Sequence, residues 1–149
     1  MKIPASDTLS RFNHLAGEID SVYHDAALRF GISDSAFQII YTLYSEGGSC
    51  LIGDVCAFSG MSKQTVNSAL RKLEKDGIVI LTHYDGKKKN VIFTDSGVAF
   101  AADTVARVID TENRIFSGWG EENAELYINL TKKYLDEFRR DIKEILKTK

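Results

Sequence analysis

Proline is almost absent from this chain. The only one, Pro4, precedes the first helical pattern, so no proline ring interrupts a helix downstream. Cysteine is scarce too: Cys50 and Cys56 lie six apart, a spacing that fits neither a zinc knuckle nor a C-x-x-C redox pair. No apolar run approaches the ~20 residues a membrane-spanning helix needs. The first residues, Met-Lys-Ile-Pro-Ala-Ser-Asp, carry no signal-peptide-like apolar stretch. A cytoplasmic protein without a membrane partner is therefore expected. Glycine-rich phosphate loops, paired catalytic carboxylates and Cys/His nucleophile spacings are also missing, so neither an enzyme nor a cofactor is expected. No internal repeat, low-complexity segment or long linker divides the chain. Its 149 residues, 44% hydrophobic and 27% charged, are read as one globular domain able to bury a core.

A net charge of −2 offers no general attraction to nucleic acid, but the charge is unevenly spread. Residues 1–61 carry three basic and seven acidic side chains, whereas residues 62–89 carry seven basic and three acidic. Residues 90–120 are again acidic, with two against four, and residues 121–149 balance at seven each. Positive charge is thus concentrated in one short segment, the electrostatic footprint of a surface that meets polyanions. Lysines also solubilise surfaces, so the concentration supports such a reading without establishing it.

Within that segment, Ser62 suits a helix N-cap, and Val66, Ala69, Leu70 and Leu73 recur at i, i+3, i+4 and i+7 on one helical side. Gln64, Ser68, Arg71 and Lys75 fall on the other side, flanked by Thr65 and Asn67. Gly77 ends the helix where a left-handed residue is wanted. Amide, hydroxyl and guanidinium groups are those that read base edges and phosphates, although any surface helix shows polar residues. Next, Ile78, Ile80, Thr82 and Tyr84 alternate as a half-buried strand, and residues 91–94 return as its partner. Asp85-Gly86 starts the turn between them, and Lys87, Lys88 and Lys89 crowd its tip. A lysine-tipped hairpin directly after such a helix is read as a wing that touches phosphate or the minor groove.

The remaining pattern is helical. Residues 8–30 repeat Leu9, Phe12, Leu15, Ala16, Ile19, Val22, Tyr23, Ala26 and Phe30. A second helix follows the Gly31-Ile32-Ser33-Asp34 break, with Phe37, Ile40, Tyr41 and Tyr44 on one face, and stops at Glu46-Gly47-Gly48. A short helix at residues 52–58, the Ser59-Gly60-Met61 turn and the polar helix form a helix-turn-helix pattern. Cys56, four residues before Gly60, is expected to be the small buried residue where the two helices meet. A redox sensor would need an exposed, acidified thiol, and nothing basic lies near it in sequence. Thr94 caps one long helix with the stripe Val98, Ala101, Ala102, Val105, Val108, Ile109, Ile115 and Phe116, interrupted at Gly118-Trp119-Gly120. A last helix over residues 121–146 repeats Tyr127, Leu130, Tyr134, Phe138, Ile142 and Ile145. The fold expected is mainly α with a small β-wing. A winged helix-turn-helix core spans residues 33–97, and residues 1–32 and 98–149 carry more apolar stripe than one small core can cover. A two-fold dimer would bury that excess.

This order resembles the MarR family of bacterial transcriptional regulators over essentially the whole chain. The resemblance is carried by Lys63-Gln64-Thr65-Val66-Asn67, by Leu73-Glu74-Lys75-Asp76-Gly77, and by Asp85-Gly86-Lys87 with Phe93-Thr94-Asp95-Ser96-Gly97. It implies a homodimer built by the first and last helices, with each winged helix on one half of a near-palindromic double-stranded DNA operator, most often as a repressor. DNA contacts would then come from Ser62, Lys63, Gln64, Thr65, Asn67, Ser68 and Arg71 in the major groove and from Lys87, Lys88 and Lys89 near the minor groove. The family's wing usually reads Asp-x-Arg, and this chain has Lys87 in the arginine's place. Lysine keeps the charge but loses the planar fork, which favours holding phosphate over discriminating sequence.

A small-molecule effector is the default family expectation, but no residue identifies one. Relatives that sense hydroperoxide carry a cysteine in the first helix, and this chain has none before Phe30. Zinc-sensing relatives use histidines after the wing, and residues 95–118 contain none. His14 with Glu18, or His24 with Asp20, has helical spacing for a metal, but such pairs are common on exposed faces and no metal site is expected. A different class remains open: a winged helix serving as a protein-interaction module without DNA binding. That class predicts an apolar or acidic exposed recognition face, which Gln64, Ser68 and Arg71 contradict.

Overall fold

A computed structural model describes residues 3–147, the Tyr84 side chain excepted. Two compact units result, Met1–Arg107 and Val108–Lys149. In the first, α1 (Asp7–Phe30) starts where the Ser6 hydroxyl accepts from the Leu9 N–H at 3.1 Å. It ends at Gly31, whose φ of 72° is the left-handed conformation that glycine adopts without a Cβ penalty. Ser33 caps α2 (Asp34–Ser45) in the same manner, accepting from the Ala36 N–H.

The core is organised around α2. Phe37, Ile39, Ile40 and Leu43 are all fully buried, on more than the single face that the sequence suggested. The helix packs against α1 and, in the elements introduced next, against β1, α3, α4, β3 and α5, so it has little solvent side left. Phe37 sits among Tyr23, Phe30 and Tyr41, with ring centroids 5.9, 6.4 and 6.0 Å away. Tyr44, expected inward, is instead 39% exposed.

A strand that the sequence pattern missed follows: β1 (Ser49–Leu51) leads directly into α3 (Ile52–Ser59). After α4 (Lys63–Lys75), the hairpin β2 (Val79–Asp85) and β3 (Lys88–Phe93) completes an antiparallel sheet in the order β1-β3-β2. The expected phase of β2 is corrected. Val79 is buried and Ile80 is 47% exposed, because Val79 pairs with Phe93 and Leu81 with Val91, the two buried residues of β3. Tyr84, the last residue of the expected alternation, lies outside the described side chains.

The single helix expected after Thr94 is two helices, α5 (Asp95–Asp103) and α6 (Val105–Trp119). Thr104 between them has φ −122° and ψ −90°, and its hydroxyl donates to the Phe100 carbonyl at 2.6 Å. A threonine hydroxyl that competes for the i−4 carbonyl bends or breaks a helix, and here it breaks it. In the second unit, α6 and α7 (Glu121–Lys147) share an aromatic cluster in which Trp119 lies 5.1 Å from Phe116 and 5.4 Å from Tyr127.

Candidate nucleic-acid interface

Local chemistry sets where α4 begins. The Ser62 hydroxyl accepts from the Thr65 N–H at 3.2 Å and lies 2.9 Å from the Thr65 hydroxyl. One turn earlier, the Ser59 hydroxyl donates to the Val55 carbonyl at 2.6 Å and accepts from the Met61 N–H at 3.2 Å. Gly60, at φ 69°, makes the left-handed residue between the two helices. The turn is thereby held from both sides, and the direction of α4 is fixed relative to α3.

Burial of Val66, Leu70 and Leu73 turns the rest of α4 outward. Lys63, Gln64, Thr65, Ser68 and Arg71 are exposed and Asn67 is half-buried, in the arrangement that the helical period predicts. Concavities flank this helix on two sides. Lys63 and Asn67 border a groove of about 720 Å³ closed by the wing and the start of α3. Gln64, Thr65 and Ser68 border a second groove of about 490 Å³, whose other wall is Ser33 and Ser35 at the start of α2. Arg71 borders neither. The walls contributed by α2 and α3 had no signal in the sequence, because only tertiary packing brings them beside α4. Lys72 is exposed on the same helix, but its ammonium is held 2.7 Å from the Asp76 carboxylate.

The wing tip differs from expectation. Only Gly86 and Lys87 lie between the strands, whereas Lys88 and Lys89 belong to β3, opposite Asp85 and His83. Gly86 has φ 52°, a positive value at the loop position where two-residue type II′ hairpins place glycine. A register irregularity between His83 and Asp85 brings Asp85 opposite Lys88 and shortens the loop. All three lysines nevertheless border the groove they share with Lys63. Among the described residues, Lys63, Arg71, Lys87, Lys88 and Lys89 form no ion pair, so their charge is available to an incoming anion.

The expected burial of Cys56 is corrected. Val55, not Cys56, is the fully buried residue of α3, and Cys56 is half-buried at the groove wall, one position further around the helix. Cys50 is buried in β1, and desolvation, then Asp54 and Glu46, push its thiol up to about 11. It stays protonated at neutral pH, the opposite of a reactive thiolate. His24 pairs with Asp34 at 2.9 Å, not with Asp20, and His14 pairs with Glu18 at 3.3 Å. Among the described residues no group of three or more His, Cys, Asp or Glu could hold a metal ion. None of their helices is long and apolar enough to cross a membrane.

The model of the MarR family matches residues 30–88, the stretch containing α2, α3, α4 and most of the wing. No curated protein matches the sequence. Among solved structures, a MarR family regulator from Neisseria meningitidis is similar at TM-score 0.81 and 18% identity, over 93% of this chain and 99% of that one. S. aureus MepR, solved as a complex with DNA, is similar at TM-score 0.67 and 21% identity, over 89% and 98% of the two chains. Bordetella bronchiseptica BpsR, whose DNA binding is regulated by 6-hydroxynicotinic acid, is similar at TM-score 0.61 and 18% identity, over 83% and 98%.

Proposed function

We propose that the chain is a member of the MarR family, whose model matches residues 30–88, and that it is a homodimeric, sequence-specific DNA-binding transcriptional regulator and not an enzyme. The observation that carries this proposal is the division of α4: an apolar side locked into the core and a side of Gln64, Thr65, Ser68 and Arg71 left open, with Lys63, Lys87, Lys88 and Lys89 in no ion pair among the described residues. In this proposal Ser62 to Arg71 enter the major groove, with Asn67 and Gln64 suited to adenine and Arg71 to guanine. Lys87, Lys88 and Lys89 hold backbone phosphate. The helices outside residues 33–97 pair two protomers, each on one half of a near-palindromic operator, and the bound dimer represses. The likeness to BpsR supports release by a small-molecule effector.

Selection of bound sequences from a random DNA pool, followed by titration at several salt concentrations, tests this. If five to ten phosphates are neutralised by the dimer, log affinity should fall against log salt with a slope of roughly −4 to −9. Lys87→Ala/Lys88→Ala/Lys89→Ala should weaken every sequence alike and flatten the slope by up to about one for each phosphate no longer neutralised. Preserved affinity would reduce the wing to a solvated turn, and a slope near zero for any DNA would remove the DNA-binding proposal altogether.

Reading and holding can also be separated. Arg71→Ala or Gln64→Ala should cost about 1–3 kcal/mol on the selected site and less on random DNA. Equal losses on both would assign these side chains to the backbone alone.

A further inference from the structure

The groove between α4 and the wing is more than a flat basic patch. Lys63 borders it from a helix, Lys87 from the hairpin loop, and Lys88 and Lys89 from a strand, so lysines of three elements line one concavity. Against them the lining offers one carboxylate, Asp54. None of the four lysines is neutralised within the chain among the described residues. At about 720 Å³ the groove lies within the size range of small-ligand sites, ~300–1,000 Å³. Half-buried Leu51, Ile52 and Cys56 make part of its wall apolar, which an exposed phosphate-tracking surface does not need. Lysine ammoniums act as point charges without a fixed fork, so they suit clustered phosphate oxygens better than a planar carboxylate.

We propose that this groove binds a small diphosphate, either inorganic pyrophosphate or the diphosphate of a nucleotide. A single sulfate or phosphate would leave part of the lysine charge unmatched, whereas two linked phosphates bring the charge to match more of it. The apolar wall is where a nucleoside would lie if the diphosphate carries one.

The test is isothermal titration of the full chain, without DNA, with inorganic pyrophosphate, with sulfate at matched ionic strength as the comparator. Pyrophosphate should bind at least about tenfold more tightly than sulfate. Lys63→Ala/Lys88→Ala should lose about tenfold or more of that affinity, and Lys133→Ala/Lys143→Ala on α7 should lose none. Circular dichroism confirms that these exposed-lysine variants are folded. ADP titrated in parallel identifies the source: tighter binding than pyrophosphate assigns a nucleotide, and equal or weaker binding assigns the inorganic ion. Pyrophosphate no tighter than sulfate, or equal losses in the α7 variant, would overturn the site. With no DNA in the cell, that failure would leave the DNA-binding proposal untouched, and failure of the latter would leave this site standing.

Discussion

If the proposed homodimer forms through the terminal helices, truncation after Tyr134 is expected to give monomer or aggregate and to cost on the order of 10²-fold or more in affinity for a palindromic site. The 27 residues of α7 include no buried one. Phe138, Ile145 and Leu146 are 53, 67 and 68% exposed, and Ile142 is half-buried. A soluble chain rarely leaves such a continuous apolar stripe open. Burying one such side chain against a partner contributes about 1.5–3 kcal/mol before the entropy of association is subtracted. Four of them per protomer therefore decide whether the pair persists at low concentration. α1 shows the same excess in its own unit, with Phe12, Leu15 and Ile19 all about half exposed at 47, 57 and 52%. Loss of the dimer would leave each protomer one half-site, so the second binding event would no longer be intramolecular. Light scattering and titration against the selected operator measure both effects. A soluble truncated monomer that binds the full operator undiminished would show that the terminal helices do something else.

The exposed side of α4 was legible in the sequence because everything that sets it is local. A Ser62 cap, a 3.6-residue period and a left-handed Gly77 at φ 74° fix both the helix and its outward face. What the sequence misled on depends on partners distant in the chain. Residues 78–81 are apolar at every position, so a period of two fits either phase, and only pairing with Val91 and Phe93 selects Val79 and Leu81. β1 has three residues, too few to show alternation, and it exists because it pairs with β3, Cys50 opposite Val91. The break at Thr104 arises from one hydroxyl that period counting cannot see. The lysine groove is the least legible feature. Lys63 and Lys87 lie far apart in sequence, and the wall between them is the start of α3.

Replacing Gly97 by alanine is expected to be the most destabilising of small substitutions, although glycine inside a helix is ordinarily the weaker residue. On an open helix, Gly→Ala would gain about 1 kcal/mol of propensity. Here the added Cβ would lie 1.9 Å from the Ile78 carbonyl oxygen and 3.0 Å from Phe93 Cδ1. The first neighbour is backbone and cannot rotate away. It is also held in place: the Thr94 hydroxyl donates to the Gly77 carbonyl at 2.5 Å and lies 3.2 Å from that of Ile78, and the Thr94 N–H bonds the Ile78 oxygen at 3.1 Å. The same hydroxyl accepts from the Gly97 N–H at 2.9 Å, so the cap of α5 is clamped onto the junction of α4 and β2. Relief requires α5 to lift from that junction, with a net cost at or above the upper end of the ~1–3 kcal/mol typical of overpacking. For a chain of this size that is a fall in Tm of roughly 6–12 °C. Ser96→Ala, one residue earlier on the exposed side of the same turn, serves as the control and should shift Tm little. Thermal unfolding by circular dichroism at one fixed protein concentration compares the three chains. Gly97→Ala melting at or above the unsubstituted protein would mean that helix propensity outweighs the clash, and that α5 does not pin the end of α4.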